Sequence, residues 1–139
     1  MAVEIDVRYL GDLHCEAAHG PSGSVLVTDA PVDNGGQGAA FSPTDLVATA
    51  LGTCVLTMLG IVARRQALDL QGTRAQVVKE MTSQPTRRIG CLAVTVTFAA
   101  GLALDDDTRT LLERAARACP VKQSLHPDTE IRIEFVYPS

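Results

Sequence analysis

Two cysteines stand where a thiol can become reactive. Cys119 precedes Pro120. Proline disfavours helical geometry in the residue before it and suits the first position of a new helix, so Cys119 is expected at the N-cap of a short helix, Pro120 to Leu125. Backbone N–H groups and the helix dipole at such a position favour a thiolate. Cys54 lies inside Leu46 to Ala63, a run without a charge. A thiol buried in an apolar helix is inert, a small core hydrophobe, unless a cation or hydrogen-bond donor reaches it. From the residues alone both readings of Cys54 stay open.

The other two thiols have plainer settings. Cys91 falls in an alternating strand and reads as core or partly buried surface. Cys15 follows His14, but two ligands do not make a metal site. No pair is spaced as C-x-x-C, so no structural zinc is expected. His19 and His126 read as loop residues. Met1 to Tyr9 alternates like a strand rather than an export signal, which gives a cytoplasmic expectation with all four thiols reduced.

The element that must position Cys54 spans residues 41 to 66. Ser42 is a candidate N-cap, Pro43 suits the first helical position, and Asp45 completes a carboxylate form of the capping box. Arg64 and Arg65 place positive charge in the last turn. A helix so apolar either spans a membrane or is buried in a core. Thr49, Thr53, Thr57, Gly52 and Gly60 weaken its hydrophobicity, and the other segments alternate like strands of a globular protein. Burial is therefore the expectation, with no membrane. One small domain has trouble surrounding such a helix, and packing it against its twin in a homodimer would solve that.

Around this helix the sequence predicts a single domain over 1–139. Residues 1–40 form a β-meander and loop, with strands at 3–9, 13–18 and 24–28. After the helix, residues 67–139 supply a strand from Leu68 to Met81 with Gly72 as a bulge. A turn at 83–88 and a strand at 89–98 follow. A helix then opens at Asp105–Asp107 and closes at Arg117, and the last strand is 129–137. The class is α+β, antiparallel sheets around a long central helix. The net charge of −4 and the lack of a basic run argue against nucleic-acid binding. At 4% aromatic residues, any site is built from Leu, Val, Met and Ala and suits an aliphatic substrate.

Two motifs carry a family resemblance. Ser42-Pro43-Thr44-Asp45-Leu46, with Cys54 eight positions after Leu46, resembles the central helix of the OsmC/Ohr family of osmotically inducible and organic hydroperoxide resistance proteins. Ala118-Cys119-Pro120-Val121 followed by Ser124-Leu125 resembles that family's second cysteine motif, and the order of elements matches along essentially the whole chain. The resemblance implies a thiol peroxidase in an intertwined homodimer whose sites lie at the subunit interface. In it Cys54 is the peroxidatic thiolate and becomes a sulfenic acid. Cys119 resolves this to a disulfide, and a dithiol reduces the disulfide. No metal, flavin or haem is implied.

The chain also departs from the peroxidase pattern. The family's peroxidases have an arginine that polarises the thiolate and a glutamate that holds it. Thr44 occupies the glutamate position, and the carboxylate comes one residue later at Asp45. Nine residues at about 100° each put Asp45 roughly opposite Cys54, so Asp45 is expected to cap its own helix. The arginine is not identifiable. Arg8 falls on an exposed strand face, His14 could donate a hydrogen bond, and Arg87 and Arg88 lie in a turn that either reaches a partner's site or is simply solvated. The competing reading is a non-catalytic or redox-sensing dimer that holds a small apolar ligand, or a purely structural dimer.

Overall fold

The computed structural model describes residues 1–138. The chain forms two compact units, Met1–Val47 and the remainder from Ala48.

The first unit is an antiparallel meander, β1 (Ile5–Gly11), β2 (His14–His19) and β3 (Val25–Asp29), in that order across the sheet. Gly11, Asp12 and Leu13 all take positive φ in the β1–β2 turn, with a bulge between Tyr9 and Gly11. The sequence predicts a half-buried β1. Instead Ile5, Val7 and Tyr9 are 59%, 66% and 63% exposed, and Leu26 of β3 adds to the same face through Ala17 of β2. The alternation is real, but it marks one apolar face of a three-stranded sheet left open.

A loop with a short 3₁₀ turn at Val32–Asn34 leads to α1 (Pro43–Arg65). The predicted capping box forms reciprocally. The Asp45 N–H donates to Ser42 Oγ at 3.1 Å, and the Ser42 N–H donates to Asp45 Oδ2 at 2.9 Å.

The second unit holds most of α1 with β4 (Arg74–Thr82), β5 (Arg88–Thr97), α2 (Asp106–Arg117), α3 (Pro120–Ser124) and β6 (Glu130–Val136). Its sheet runs β4-β5-β6 and is mixed rather than wholly antiparallel: β6 lies parallel to β5. The long return through α2 and α3 permits this, since parallel neighbours need a crossover rather than a hairpin.

Two further expectations change. The strand expected from Leu68 begins only at Arg74. Leu68 and Leu70 pack on the core from a loop, so their alternation imitates a strand. In that loop the Gln71 N–H donates to the Asp69 side chain at 2.9 Å and the Thr73 N–H to Leu70 O at 2.9 Å. Gly72 is therefore a turn residue at φ 92°, and the bulge of β4 falls between Glu80 and Met81. Arg88 is not in the turn; it opens β5 opposite Thr82.

The core of this unit lies between the inner face of the sheet and the helices. Leu51, Val55 and Leu59 of α1, Leu92, Val94 and Val96 of β5, and Leu112 and Ala116 of α2 are almost wholly excluded from solvent. Gly52 lets α1 approach β4 closely: a Cβ there would fall 2.8 Å from Val77 Cγ2. The α2 helix starts on Asp105, whose carboxylate accepts the Thr108 N–H at 2.8 Å. Its far side is tied to the end of β6. The Tyr137 hydroxyl donates to Glu113 at 2.6 Å, and the Arg109 guanidinium lies 4.1 Å from the Tyr137 ring.

Candidate functional site

Cys54 sits near the middle of α1, beside the wholly buried Val55, and is itself only half-buried. Cys119 arrives from the other end of the unit. Ala118 leaves the helical path, and Cys119 takes an extended backbone, φ −63° and ψ 139°, ahead of Pro120. It is the N-cap of α3, as its sequence position predicts. Its Sγ accepts the Lys122 N–H at 3.3 Å, and the side chain is 0% exposed.

Cys54 and Cys119 are neighbours in the fold, across 65 residues of sequence. Both are free thiols. Burial pushes the Cys119 thiol above the ordinary range. The Lys122 N–H opposes this, and the adjacent Cys54 sulfur adds to the rise. Burial thus outweighs the helix N-terminus: Cys119 is held as a thiol in its resting state.

The supporting candidates have their own local partners. His14 belongs to β2 and faces Asp29, with 3.6 Å between Nε2 and Oδ2. Thr44 Oγ1 is 3.3 Å from Ser42 Oγ, and Asp45 serves the cap of α1, as expected. Arg88 Nη1 donates to Ile89 O at 3.3 Å, and Arg87 remains in the exposed hairpin turn. Cys91 is buried on the outer side of β5, between Glu80 and Glu130 on the flanking strands. Burial pushes this thiol up, Arg132 opposes, and the two glutamates add to the rise. Cys15 and the histidines form no metal cluster among the described residues. Asp29, a buried carboxylate, is the residue that sequence reasoning missed. It lies just past the expected end of β3, where an Asp before Ala-Pro reads as turn chemistry.

A hollow of about 430 Å³ opens beside α1, lined in part by Leu56, Leu59, Ala63, Leu68 and Leu70. At about 100° per residue its α1 residues centre roughly half a turn round the helix from Cys54. It is a separate feature from the thiol pair.

A family model described as OsmC-like protein matches residues 35–134, which include both cysteines. The chain belongs to the OsmC-like protein family. Among solved structures, this OsmC-like protein is 44% identical to a protein from Psychrobacter arcticus 273-4 named for osmotic stress induction and a detoxification response. That match covers 96% of this chain and 93% of the other, with a TM-score of 0.85. It shares its fold with an organic hydroperoxide resistance protein OsmC from Legionella pneumophila (17% identity, 100% and 98% covered, TM-score 0.72). It also shares it with the organic hydroperoxide resistance protein OhrB of Bacillus subtilis (18% identity, 97% and 98% covered, TM-score 0.67). Comparison with curated proteins gave no match. Family membership supports a redox or stress role.

Proposed function

We propose that this OsmC-like protein is a cysteine-based peroxidase that reduces organic hydroperoxides to alcohols. One observation carries the reading: two free thiols that neighbour each other, one half-buried and one wholly buried. The accessible member, Cys54, is the peroxidatic residue. Its thiolate attacks the distal oxygen of the hydroperoxide, the O–O bond breaks, and the alkoxide takes a proton and leaves as alcohol. Cys54 becomes a sulfenic acid. Cys119 then loses its proton and attacks the Cys54 sulfur. An S–S bond forms, the S–O bond breaks, and water leaves. A dithiol, small or protein-bound, reduces the disulfide by two exchange steps and is itself oxidised. The cycle uses no metal, flavin or haem.

The elevated thiol of Cys119 suits the resolving role. It does not compete as nucleophile in the resting state, and it neighbours the residue whose sulfur it must attack. We place the protein in the cytoplasm as a homodimer. The open apolar face of Ile5, Val7, Tyr9 and Leu26 supports association. Neither nucleic acid nor membrane has a part in this reading.

A second reading, a binding protein for a small apolar ligand, is favoured by the hollow beside α1. The two separate by experiment. Consumption of an organic hydroperoxide with a dithiol as reductant, lost in Cys54→Ser, supports the peroxidase. An apolar ligand that protects residues of the hollow, with hydroperoxide untouched, supports the binding protein.

A further inference from the structure

A thiolate that reduces a disulfide bonds to one of its sulfurs and expels the other. The two sulfurs of a Cys54–Cys119 bond are therefore not equivalent to a reductant. The attack is in line: the incoming sulfur approaches its target from the side that faces away from the sulfur to be expelled. Room on that side decides which sulfur is reached.

At Cys119 that room is lacking. The residue is 0% exposed and belongs to the same buried cluster as Leu112, Ala116 and Ile133, with Val121 and Leu125 packed against the cluster. It is also held in place. Pro120 follows it, its carbonyl accepts the Gln123 N–H at 3.2 Å, and its Sγ accepts the Lys122 N–H at 3.3 Å. Cys54 stands differently. At about 100° per residue it lies between the exposed Thr57 and the wholly buried Leu51, about 60° from each. It therefore sits on the border between the open and the buried faces of α1, half-buried rather than enclosed.

Leaving-group basicity pulls the other way. The sulfur of lower pKa leaves faster, and burial pushes the Cys119 thiol above the ordinary range; the Lys122 N–H opposes this and Cys54 adds to it. That effect only grades a rate, whereas a sulfur with no room for an in-line approach is not attacked. Access therefore decides. The Lys122 N–H, already on Sγ, supports the charge as Cys119 departs.

We infer, resting on the peroxidase reading, that the dithiol enters at Cys54 and expels Cys119. One thiol of the reductant loses its proton and bonds to the Cys54 sulfur. The Cys54–Cys119 bond breaks, and Cys119 leaves as a thiolate and takes a proton. The second thiol of the reductant, deprotonated in turn, attacks the reductant sulfur of the mixed disulfide. An S–S bond closes within the reductant and Cys54 is released as a thiolate, so the reductant is oxidised by two electrons and the protein disulfide is reduced by two. Hydroperoxide and reductant thus meet the chain at one sulfur, in turn.

The test uses the full chain oxidised with diamide, which joins neighbouring thiols without a hydroperoxide. Cys15 and Cys91 are blocked with N-ethylmaleimide. A short pulse of 2-mercaptoethanol, which has no second thiol to close on itself, is stopped with acid, and the newly freed thiol is marked with isotopically heavy maleimide. Fragment masses should place the mercaptoethanol adduct on Cys54 and the heavy label on Cys119. An adduct on Cys119, an equal division between the two, or a pair that diamide leaves unjoined would overturn the inference. Hydroperoxide consumption with a dithiol, measured alongside, keeps the two readings apart. Activity with the adduct on Cys119 leaves the peroxidase standing and removes entry at Cys54; no activity with the adduct on Cys54 does the reverse.

Discussion

Cys119 and Cys54 are neighbours in the fold, yet they differ in exposure: Cys119 is wholly buried and Cys54 is not. Their order of reaction follows. With limiting alkylating agent near neutral pH, Cys54 should be modified first and Cys119 last of the pair. Burial keeps the Cys119 thiol protonated, so its labelling should rise only as pH passes above the ordinary thiol range. Peptide mass analysis reads both rates. Faster labelling of Cys119 would reverse the assignment of roles.

Gly52 fixes the distance between α1 and β4. Adding a methyl there brings it 2.8 Å from Val77 Cγ2, a branched side chain with little freedom to move. Overpacking of this kind costs about 1–3 kcal/mol, while alanine returns about 1 kcal/mol in helix propensity. Gly52→Ala should therefore lower stability by up to about 2 kcal/mol, measured by denaturant unfolding.

Leu112 is wholly buried where α2 meets the core that also holds Cys119. Leu112→Ala should cost about 2–5 kcal/mol, because the lost contacts leave a cavity. It should also raise the alkylation rate of Cys119 relative to Cys54. A stability loss below about 1 kcal/mol would mean that this core is not packed as described.

The exposed face of β1 and β3 tests the assembly. Val7→Lys sets a charge in the middle of an apolar surface, at a position 66% exposed in the single chain. The wild type should sediment at twice its 14.7 kDa chain mass, and Val7→Lys should shift towards the monomer with its strand content kept. A wild type that sediments as a monomer would contradict the homodimer.

What could be read from the sequence divides by the range of the interactions. The capping box of Ser42 and Asp45, the Asp105 cap and the Cys119–Pro120 turn are local chemistry, and each formed where its residues said. Leu68 and Leu70 misled because periodicity reports burial, and a loop that lies on the core buries the same residues as a strand. The parallel pairing of β5 and β6 is set by how α2 and α3 pack, and no short stretch encodes it. The site divides likewise. Both cysteines were visible as motifs. Their proximity, and the burial that outweighs the helix N-terminus at Cys119, depend on the fold. The buried role of Asp29 was hidden because a carboxylate two residues before Pro31 resembles an ordinary turn.

The most direct measurement is a thiol count on the reduced protein after one equivalent of an organic hydroperoxide, in wild type, Cys54→Ser and Cys119→Ser. Wild type should lose two of its four thiols as a Cys54–Cys119 disulfide, and Cys54→Ser should lose none. Cys119→Ser should stop at a sulfenic acid on Cys54 that a dione reagent traps. A wild type that keeps all four thiols while the hydroperoxide persists would contradict a peroxidase, and the fold would then stand as a binding scaffold.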